Sequence, residues 1–286
     1  MAANAAALRG ITKQYKDFTL GPVDMTVPAG SIVGLIGENG AGKTTLLKIL
    51  CGVNRADDGT VDLLGGSPAD AATRAKIGVV FEDAFFYGSF TAAQVARSLA
   101  GMYGARWNAD SFSAYLRRFG LDAGKKLKEY SRGMRLKLSL AAALAHDPEL
   151  LVLDEATAGL DPVVRGELMD LFLEFIQDER HSIVMSSHIT ADLEQIADSI
   201  AYLHNGQLLF QENKDDLLQE YGVLHCGEDV LPSLPAGLVV FTRRGAYGCE
   251  SLVRERRTVQ ELLPEAVCDA ARLDDIMRFY SGRDAQ

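Results

Sequence analysis

The sequence predicts an α/β protein, and three observations support that prediction. A glycine-rich loop, Gly37–Thr44, lies between a short apolar, β-leaning run at 31–36 and a run with helical character at 45–50. A second apolar run, Leu150–Leu153, ends directly in two carboxylates. Between these two features, from about residue 91 to 146, the apolar residues follow the periodicity of amphipathic helices. Apolar strands that alternate with helices in this way are typical of a parallel sheet.

Composition limits the class of protein further. The chain has 286 residues, 48% hydrophobic and 24% charged, which suits one large globular domain or a large domain plus a small one. Its net charge of −10 argues against a broad nucleic-acid-binding surface. No apolar run approaches the roughly 20 residues that span a bilayer, and residues 1–10 lack the apolar core of a signal peptide. The scattered cysteines form no C-x-x-C pair and indicate reduced thiols in a cytoplasmic protein: Cys51, Cys226, Cys249 and Cys268.

The loop Gly37–Thr44 fits the pattern G-x-x-x-x-G-K-[ST] of a phosphate-binding P-loop. Its glycines allow successive backbone N–H groups to point into one concavity, and the following helix adds its positive end, so the segment suits an anion. In this motif the lysine, Lys43, reaches the β- and γ-phosphates, and the hydroxyl of Thr44 binds Mg²⁺. The predicted strand before it and helix after it are the context that the motif requires, which disfavours an accidental glycine-rich turn.

The segment before the P-loop predicts two strands between about Leu8 and Val27, broken near residues 13–17. Tyr15 follows the first of these strands, where an exposed ring can stack on a flat base such as adenine. A single tyrosine at a strand end is more often amphipathic surface, and the residues alone favour that interpretation.

After the P-loop helix, strands are predicted at 60–64 and 77–81, and an all-helical stretch follows them. Its helices are predicted at Thr91–Tyr103, Asn108–Phe119 and about Gly133–Ala145. This pattern indicates a helical insertion between strands of the α/β domain. A basic cluster at 125–135 precedes the third helix, and it is either a solvated face or an anion site.

The run Leu150–Leu153 predicts a buried parallel strand, and Asp154 and Glu155 follow at its C-terminal end, where open α/β sheets bind their ligands. Such acids can also begin a loop and cap a helix. Two acids together, in a chain with a P-loop, fit Mg²⁺ binding and base catalysis better. A helix is predicted at about 162–177. The next buried strand, at 182–186, precedes His188. A lone histidine at a strand end is more often a plain surface or core residue, but its place at another strand end facing the same edge favours a functional role more than that position alone.

The last third of the chain predicts a hairpin and a small appendage. Strands at 199–203 and 207–211 flank Asn205-Gly206, a strong hairpin turn, and a helix at about 214–221 closes the main domain. Beyond it, short β-like runs alternate with turns until a final helix at about 273–280. We expect no chemistry from this segment.

In this order, the motifs resemble those of the ATP-binding subunit of an ABC transporter, of the exporter type with a separately encoded permease. The resemblance covers roughly residues 7–220. Tyr130–Met134 looks like the family's Leu-Ser-Gly-Gly-Gln signature, Ala158–Asp161 resembles its D-loop, and His188 matches its switch histidine. Two motifs depart from the family pattern: Glu82 replaces the Q-loop glutamine, and the signature carries Arg132 and Met134 where glycine and glutamine are usual.

The resemblance implies a P-loop NTPase of the ABC ATPase type. Its ATPase domain would span residues 1–222, with an antiparallel β subdomain and a helical subdomain inserted at about 88–146. Residues 223–286 would form a small C-terminal α+β extension.

The resemblance also implies ATP and Mg²⁺ as cofactors and assigns roles to individual residues. Glu155 would be the catalytic base, His188 would contact the γ-phosphate, and Lys43 would neutralise phosphate charge. Thr44, Asp154 and Glu82 would hold Mg²⁺. The implied nucleotide contacts are Tyr15, Asn39, Gly40, Ala41, Gly42, Lys43, Thr44 and Thr45, with Ser131 and Gly133 closing the site of a partner ATPase subunit. Tyr15 falls at the family's adenine-stacking position, which reverses the preference drawn from the residues alone.

The function implied is ATP hydrolysis that powers export of a drug, peptide or lipid-like substrate. A homodimer or heterodimer would act on an integral membrane permease, at the inner face of the membrane and without nucleic acid. The aromatic segment Glu82–Phe90, with Phe85, Phe86 and Tyr87, is either the permease docking surface or local core packing. The rival function is a soluble ABC ATPase in translation or DNA repair, whose members usually carry two cassettes or long coiled coils. A P-loop kinase is a weaker rival, because it has no need of the signature-like segment.

Overall fold

The computed structural model describes residues 4–82, 86–227, 229–245 and 248–282, which form three β-sheets with helices between and around them. The strands are β1 (Asn4–Gln14), β2 (Thr19–Pro28), β3 (Ile32–Ile36), β4 (Asp58–Leu63), β5 (Ile77–Val80), β6 (Leu150–Asp154), β7 (Ser182–Ser186), β8 (Ser199–His204), β9 (Gln207–Asn213), β10 (Gly222–Cys226), β11 (Val239–Gly245), β12 (Gly248–Val253) and β13 (Val267–Ala270). The α-helices are α1 (Lys43–Leu50), α2 (Ala71–Arg74), α3 (Ala92–Tyr103), α4 (Ala109–Arg118), α5 (Arg132–Leu144), α6 (Pro162–Phe175), α7 (Thr190–Ile196), α8 (Lys214–Glu220), α9 (Arg256–Leu262) and α10 (Leu273–Ser281).

The central sheet has the order β5-β6-β7-β3-β8-β9, parallel throughout except for β9, which pairs antiparallel with β8. Strands β3, β6 and β7 are buried along their whole length. Their residues alternate between two hydrophobic cores, so that Leu151 and Leu153 face one core while Leu150 and Val152 face the other. Burial on both faces explains why these strands are continuous apolar runs in the sequence.

The N-terminal sheet is antiparallel, in the order β2-β1-β4. Along β2, Val23, Met25 and Val27 are buried while the residues between them are exposed, which is the alternation of a sheet with one face on a core. This face packs against α1 and the central sheet, where Leu46 and Leu47 join the same core. The predicted antiparallel β subdomain is therefore present.

The helical insertion between β5 and β6 consists of α3, α4 and α5, and it has a core of its own that includes Phe112, Leu116 and Leu138. Each helix begins at a side-chain cap. Thr91 and Gln94 form a capping box on α3, and the side chains of Asn108 and Ser131 accept backbone N–H groups at the starts of α4 and α5. These caps explain why the helix starts could be predicted to within two residues.

His146 joins the end of the insertion to the central sheet. Its ring is 2% exposed and stacks on Tyr103 with 4.2 Å between centroids, and its Nε2 lies 3.0 Å from the carbonyl of Ile77. Burial lowers the pKa of His146 below its usual value of 6.5. The folded chain therefore holds a neutral imidazole, whereas the unfolded chain takes up a proton as the pH falls through 6.5.

We expect this histidine to make the folded chain less stable as the pH falls below 6.5, by up to about 1.4 kcal/mol per pH unit, because protons bind preferentially to the unfolded chain. Urea unfolding at pH 7.5, 6.5 and 5.5 measures the effect. The His146→Phe variant keeps the ring stack and lacks the titrating group, so its stability should depend less on pH. Equal pH dependence in the two proteins would contradict the prediction.

The C-terminal segment forms a four-stranded antiparallel sheet in the order β11-β12-β10-β13, with α9 and α10. Its last helix packs on the central sheet: the rings of Tyr280 and Tyr202 meet edge to face at 5.6 Å, and Ile276 and Phe279 join the core beside β8. The segment therefore shares a core with the main domain. A division at 222/223 stays a prediction, and β10 begins at Gly222.

The sequence patterns did not predict α2, α7, α9, β10 or β13. Strand β13 has one buried residue, Cys268, and so offers no alternation to recognise. The N-cap residue of helix α9 is Glu255, whose backbone lies in the left-handed region (φ 50°) and whose side chain does not cap the helix. Within the described ranges, none of the helices combines the length and the apolar character that crossing a membrane requires.

Candidate functional site

The P-loop connects the carboxyl end of β3 to α1. Gly40 and Gly42 adopt φ values of 84° and 107°, in the left-handed region that favours glycine, and Gly42 is the N-cap of α1. A Cβ atom at Gly42 would lie 3.0 Å from side-chain carbons of Phe18 and Leu20, whereas a Cβ at Gly40 would meet nothing within 4 Å. The loop thus leaves an open concavity at the positive end of a helix, a geometry that suits an anion.

Lys43 lies beneath this concavity and is 6% exposed. Its Nζ donates to the carbonyl of Gly37 at 2.7 Å and to that of Glu38 at 3.2 Å, and it lies 3.3 Å from Oε1 of Glu155. The lysine therefore ties the loop after β3 to the acid that follows β6. The two motifs, which are more than 100 residues apart in sequence, meet at one site.

Thr44 and Asp154 form the second link between the two motifs. The Thr44 hydroxyl donates to Oδ2 of Asp154 at 2.8 Å, and the Ser186 hydroxyl donates to Oδ1 at 2.6 Å. Asp154 and Ser186 are direct partners in the β6–β7 register, which places the carboxylate between the P-loop and the end of β7. Asp154 is 2% exposed, so both of its oxygens are fixed by neighbouring hydroxyls.

The oxygen donors of Thr44 and Asp154 fit Mg²⁺, which is usually held by one or two carboxylates together with substrate phosphates. Among the residues that the structure describes, no group of three or more His, Cys, Asp or Glu could hold a metal. A shell for Mg²⁺ built on Thr44 and Asp154 would need further oxygens, such as those of phosphate, to complete it.

Glu155 adopts a left-handed backbone conformation, with φ 50°, which is uncommon for a residue other than glycine. Its N–H lies 3.1 Å from both the carbonyl and the hydroxyl oxygen of Ser186. Its Oε2 accepts the backbone N–H of His188 at 3.3 Å and lies 2.6 Å from Nδ1 of that ring. Its Oε1 is buried and forms no hydrogen bond among the described residues, and its charge is paired with the Lys43 ammonium 3.3 Å away. One oxygen is thus hydrogen-bonded to His188 and the other faces Lys43.

A cavity of about 470 Å³ opens above these groups. It is lined by Tyr15, Phe18, Glu38, Asn39, Gly40, Gly42, Lys43, Thr44, Thr45, Lys48, Asn54, Glu82 and Glu155. Most of the predicted nucleotide contacts are in this set, and Tyr15 is 43% exposed at its edge. Outside the signature-like segment, three predicted site residues do not line the cavity. Ala41 is buried, Asp154 is hydrogen-bonded to the lining residue Thr44, and His188 contacts the lining residue Glu155.

Four lining residues were not predicted from the sequence: Phe18, Glu38, Lys48 and Asn54. Lys48 follows Thr44 by one helical turn on α1, so helical periodicity alone could have indicated it. Asn54 lies near Tyr15, with its amide nitrogen 3.5 Å from the phenol oxygen, and nothing in the sequence suggests that proximity.

Cys51, at the end of α1, is buried near Asp154. Burial, and to a lesser degree the charge of Asp154, raise the pKa of the Cys51 thiol to about 12. The thiol therefore stays protonated at neutral pH and behaves as an apolar side chain beside the site.

Ser131 and Gly133 lie at the start of α5 and do not line this cavity. The Ser131 side chain accepts the backbone N–H of Met134 at 3.2 Å, and Gly133 faces Leu160, which lies within the segment that resembles the D-loop. The structure thus places the signature-like segment next to residues 158–161.

Glu82 lies at the cavity rim, where its Oε1 is 3.0 Å from the guanidinium of Arg132. In the neighbouring aromatic segment, Phe85 lies outside the described residues. Phe86 and Phe90 pack against the core of the insertion, whereas Tyr87 is 77% exposed. Core packing and an exposed surface are therefore both present in the segment.

Comparisons with known proteins agree with this geometry. A family model described as "ABC transporter" matches residues 20–158. An uncharacterized ABC transporter ATP-binding protein of Synechocystis sp. is 38% identical over 206 residues, or 70% of this chain and 58% of the relative. The bacitracin transport ATP-binding protein BcrA of Enterococcus faecalis is 36% identical over 212 residues, or 72% of this chain and 68% of BcrA. A solved structure of the ATP-binding subunit of an ABC transporter matches with a TM-score of 0.68 and 28% identity, covering 74% of this chain and 91% of that one.

A P-loop facing two acids at the carboxyl edge of a parallel sheet defines a nucleotide-binding α/β protein. Within that class, the chain belongs to the family of ABC transporter ATP-binding proteins. The family and the fold predicted from the sequence are both confirmed. The match spans less than two thirds of the Synechocystis relative and just over two thirds of BcrA.

Proposed function

We propose that this chain binds MgATP and hydrolyses it, and that hydrolysis powers export of a drug, peptide or lipid-like substrate through a separate membrane permease. The observation that carries the proposal is the set of contacts that joins Lys43, Glu155 and His188 directly above the Thr44–Asp154 hydrogen bond. These contacts place a cation, a base and two metal-binding oxygens around one concavity.

Nucleotide binding would use the cavity as the structure describes it. Backbone N–H groups of residues 40–45 would hold the phosphates, and Lys43 would move its donors from the carbonyls of Gly37 and Glu38 to phosphate oxygens. Tyr15, exposed at the edge of the cavity, would stack on the adenine ring. Thr44 and Asp154 would hold Mg²⁺, which supplies neutralisation of phosphate charge when it is bound.

For hydrolysis, Oε1 of Glu155 would exchange its contact with Lys43 for a hydrogen bond from the attacking water, and would orient that water towards the γ-phosphate. His188 would hold the other oxygen of Glu155, which limits rotation of the carboxylate, and its exposed ring would contact the γ-phosphate. Positioning and charge neutralisation are the main requirements of phosphoryl transfer, and these residues supply both.

A second ATPase subunit would complete the site. Ser131 and Gly133 do not line the chain's own cavity, and they lie at an accessible helix start beside residues 158–161. In a homodimer or heterodimer, each such segment would close the nucleotide site of the partner. The permease would hold the pair at the inner face of the membrane, and the segment around exposed Tyr87 is the proposed contact.

The proposal predicts that the purified chain binds ATP, and that it releases phosphate from ATP only when Mg²⁺ is present. Calorimetric titration with ATP and a phosphate-release assay, each run with Mg²⁺ and with EDTA, measure this. Since the hydroxyl of Thr44 would be one of the Mg²⁺ ligands, Thr44→Val should lower phosphate release even at saturating ATP, whereas Thr242→Val, on the C-terminal sheet, should not.

Native purification from cells tests the proposed partner. Recovery of an integral membrane permease with the chain supports the transport role. Recovery with ribosomes and without a permease would contradict that role and favour a soluble ATPase of translation.

A further inference from the structure

Two of the positions that depart from the family pattern contact each other. Glu82 follows β5 by two residues and lines the nucleotide cavity, whereas Arg132 is the first residue of α5 in the helical insertion. Their side chains form an ion pair with 3.0 Å between Oε1 and the guanidinium nitrogen. The pair therefore connects the rim of the cavity to the helix start that carries Ser131 and Gly133.

The charges around the cavity indicate that the pair neutralises the carboxylate of Glu82. The lining contains three carboxylates, Glu38, Glu82 and Glu155, and two lysines, Lys43 and Lys48. Lys43 already lies against Glu155, so Glu82 would face an entering triphosphate as a like charge. Arg132 is the cation that the structure places against Glu82.

The pair is also weak enough to open. The side chains of Glu82 and Arg132 are 47% and 52% exposed, and ion pairs at such positions change an equilibrium by about fivefold at most. A magnesium–triphosphate complex offers a divalent cation to the carboxylate and anionic oxygens to the guanidinium, which are stronger partners. The guanidinium also lies against Gly159, where an added Cβ would be 3.1 Å from its nitrogen, so Arg132 remains supported when Glu82 leaves it.

We propose that Arg132 is a positioning residue for Glu82, and that their ion pair is closed in the nucleotide-free chain and opens when MgATP binds. In the closed state, the ion pair holds the Glu82 carboxylate at the rim and restrains the start of α5. In the open state, Glu82 can move towards the metal, and the Ser131–Gly133 segment is no longer restrained by the pair. This inference rests on the proposed nucleotide binding and adds to it a link between cavity filling and the helical insertion.

A thermodynamic cycle tests the inference through binding alone. The dissociation constant of MgATP is measured by calorimetry for the wild type, Glu82→Gln, Arg132→Gln and the double variant. If MgATP binding breaks the ion pair, only the wild type loses an ion pair on binding, because each variant lacks one or both partners from the start. The product of the wild-type and double-variant constants should then exceed the product of the two single-variant constants by about twofold to fivefold. The excess should shrink in 0.5 M NaCl, since the pair is half exposed.

Arg118 and Glu174 provide the matched control. Their ion pair, at 2.7 Å, joins the helical insertion to α6 and is similarly exposed, but neither residue lines the cavity. The same cycle on this pair should give a ratio of one. A ratio of one for Glu82 and Arg132, in variants that all bind MgATP, would overturn the inference and leave the proposed function intact. Failure of the wild type to bind MgATP would overturn both.

Discussion

Replacing Glu155 by glutamine should lower the rate of ATP hydrolysis by about a hundredfold to ten-thousandfold, the contribution typical of a positioned general base. Glutamine keeps the size of the side chain and can still accept the backbone N–H of His188, so the left-handed turn and the cavity should be retained. Its amide no longer offers a basic oxygen at the position of Oε1. Removing this negative charge from beside Lys43 should leave ATP binding intact or tighter.

Phosphate release at saturating MgATP measures the loss of turnover, and calorimetry measures the retained affinity. Since the variant binds ATP without consuming it, it should accumulate as an ATP-bound dimer during size-exclusion chromatography. Glu149→Gln is the matched control, because that acid precedes the same strand at its opposite end and pairs on the surface with Lys76. Rapid turnover in Glu155→Gln would remove Glu155 from the role of base.

Replacing Lys43 by alanine should weaken ATP binding by roughly tenfold to a hundredfold, which corresponds to the loss of one or two hydrogen bonds from a charged donor. The ammonium group is the buried cation that holds the carbonyls of Gly37 and Glu38 and lies beside Glu155. Its removal also leaves Glu155 without that counter-charge, so phosphate oxygens would meet a carboxylate in place of a lysine.

Titration calorimetry with MgATP gives the affinity directly. Lys76→Ala is the control, since that lysine is part of a surface ion pair and does not line the cavity. Unchanged affinity in Lys43→Ala would contradict the assignment of the P-loop to phosphate binding.

The central part of this fold could be predicted because its sequence signals are local. Strands β3, β6 and β7 supply alternate residues to two cores, and this makes them uninterrupted apolar runs. The P-loop and the Asp154–Glu155 pair follow two of these strands, and parallel strands bring their carboxyl ends to one edge. From these facts alone, the proximity of Lys43 and Glu155 could be expected.

Other features depend on tertiary structure that the sequence does not display. The contact between Glu155 and His188 requires the left-handed backbone at residue 155, and no sequence pattern indicates that a glutamate will adopt it. Glu82 and Arg132 are each visible as departures from a family pattern, but 50 residues separate them and only the packing of α5 beside β5 brings them together. Strand β13 is exposed along most of its length, so its pairing with β10 decides its conformation.

Tyr280 of α10 contacts three aromatic rings, those of Tyr202, Phe210 and Phe241, with centroid separations of 5.6, 5.6 and 4.9 Å. Two of these rings belong to β8 and β9, and the third belongs to β11. Helix α10 therefore lies between the central sheet and the C-terminal sheet, and it shields the rings at β8 and β9 from water. Without α10, the aromatic rings at β8 and β9 would lose the side chain that covers them, so the central sheet depends on this helix for part of its buried surface.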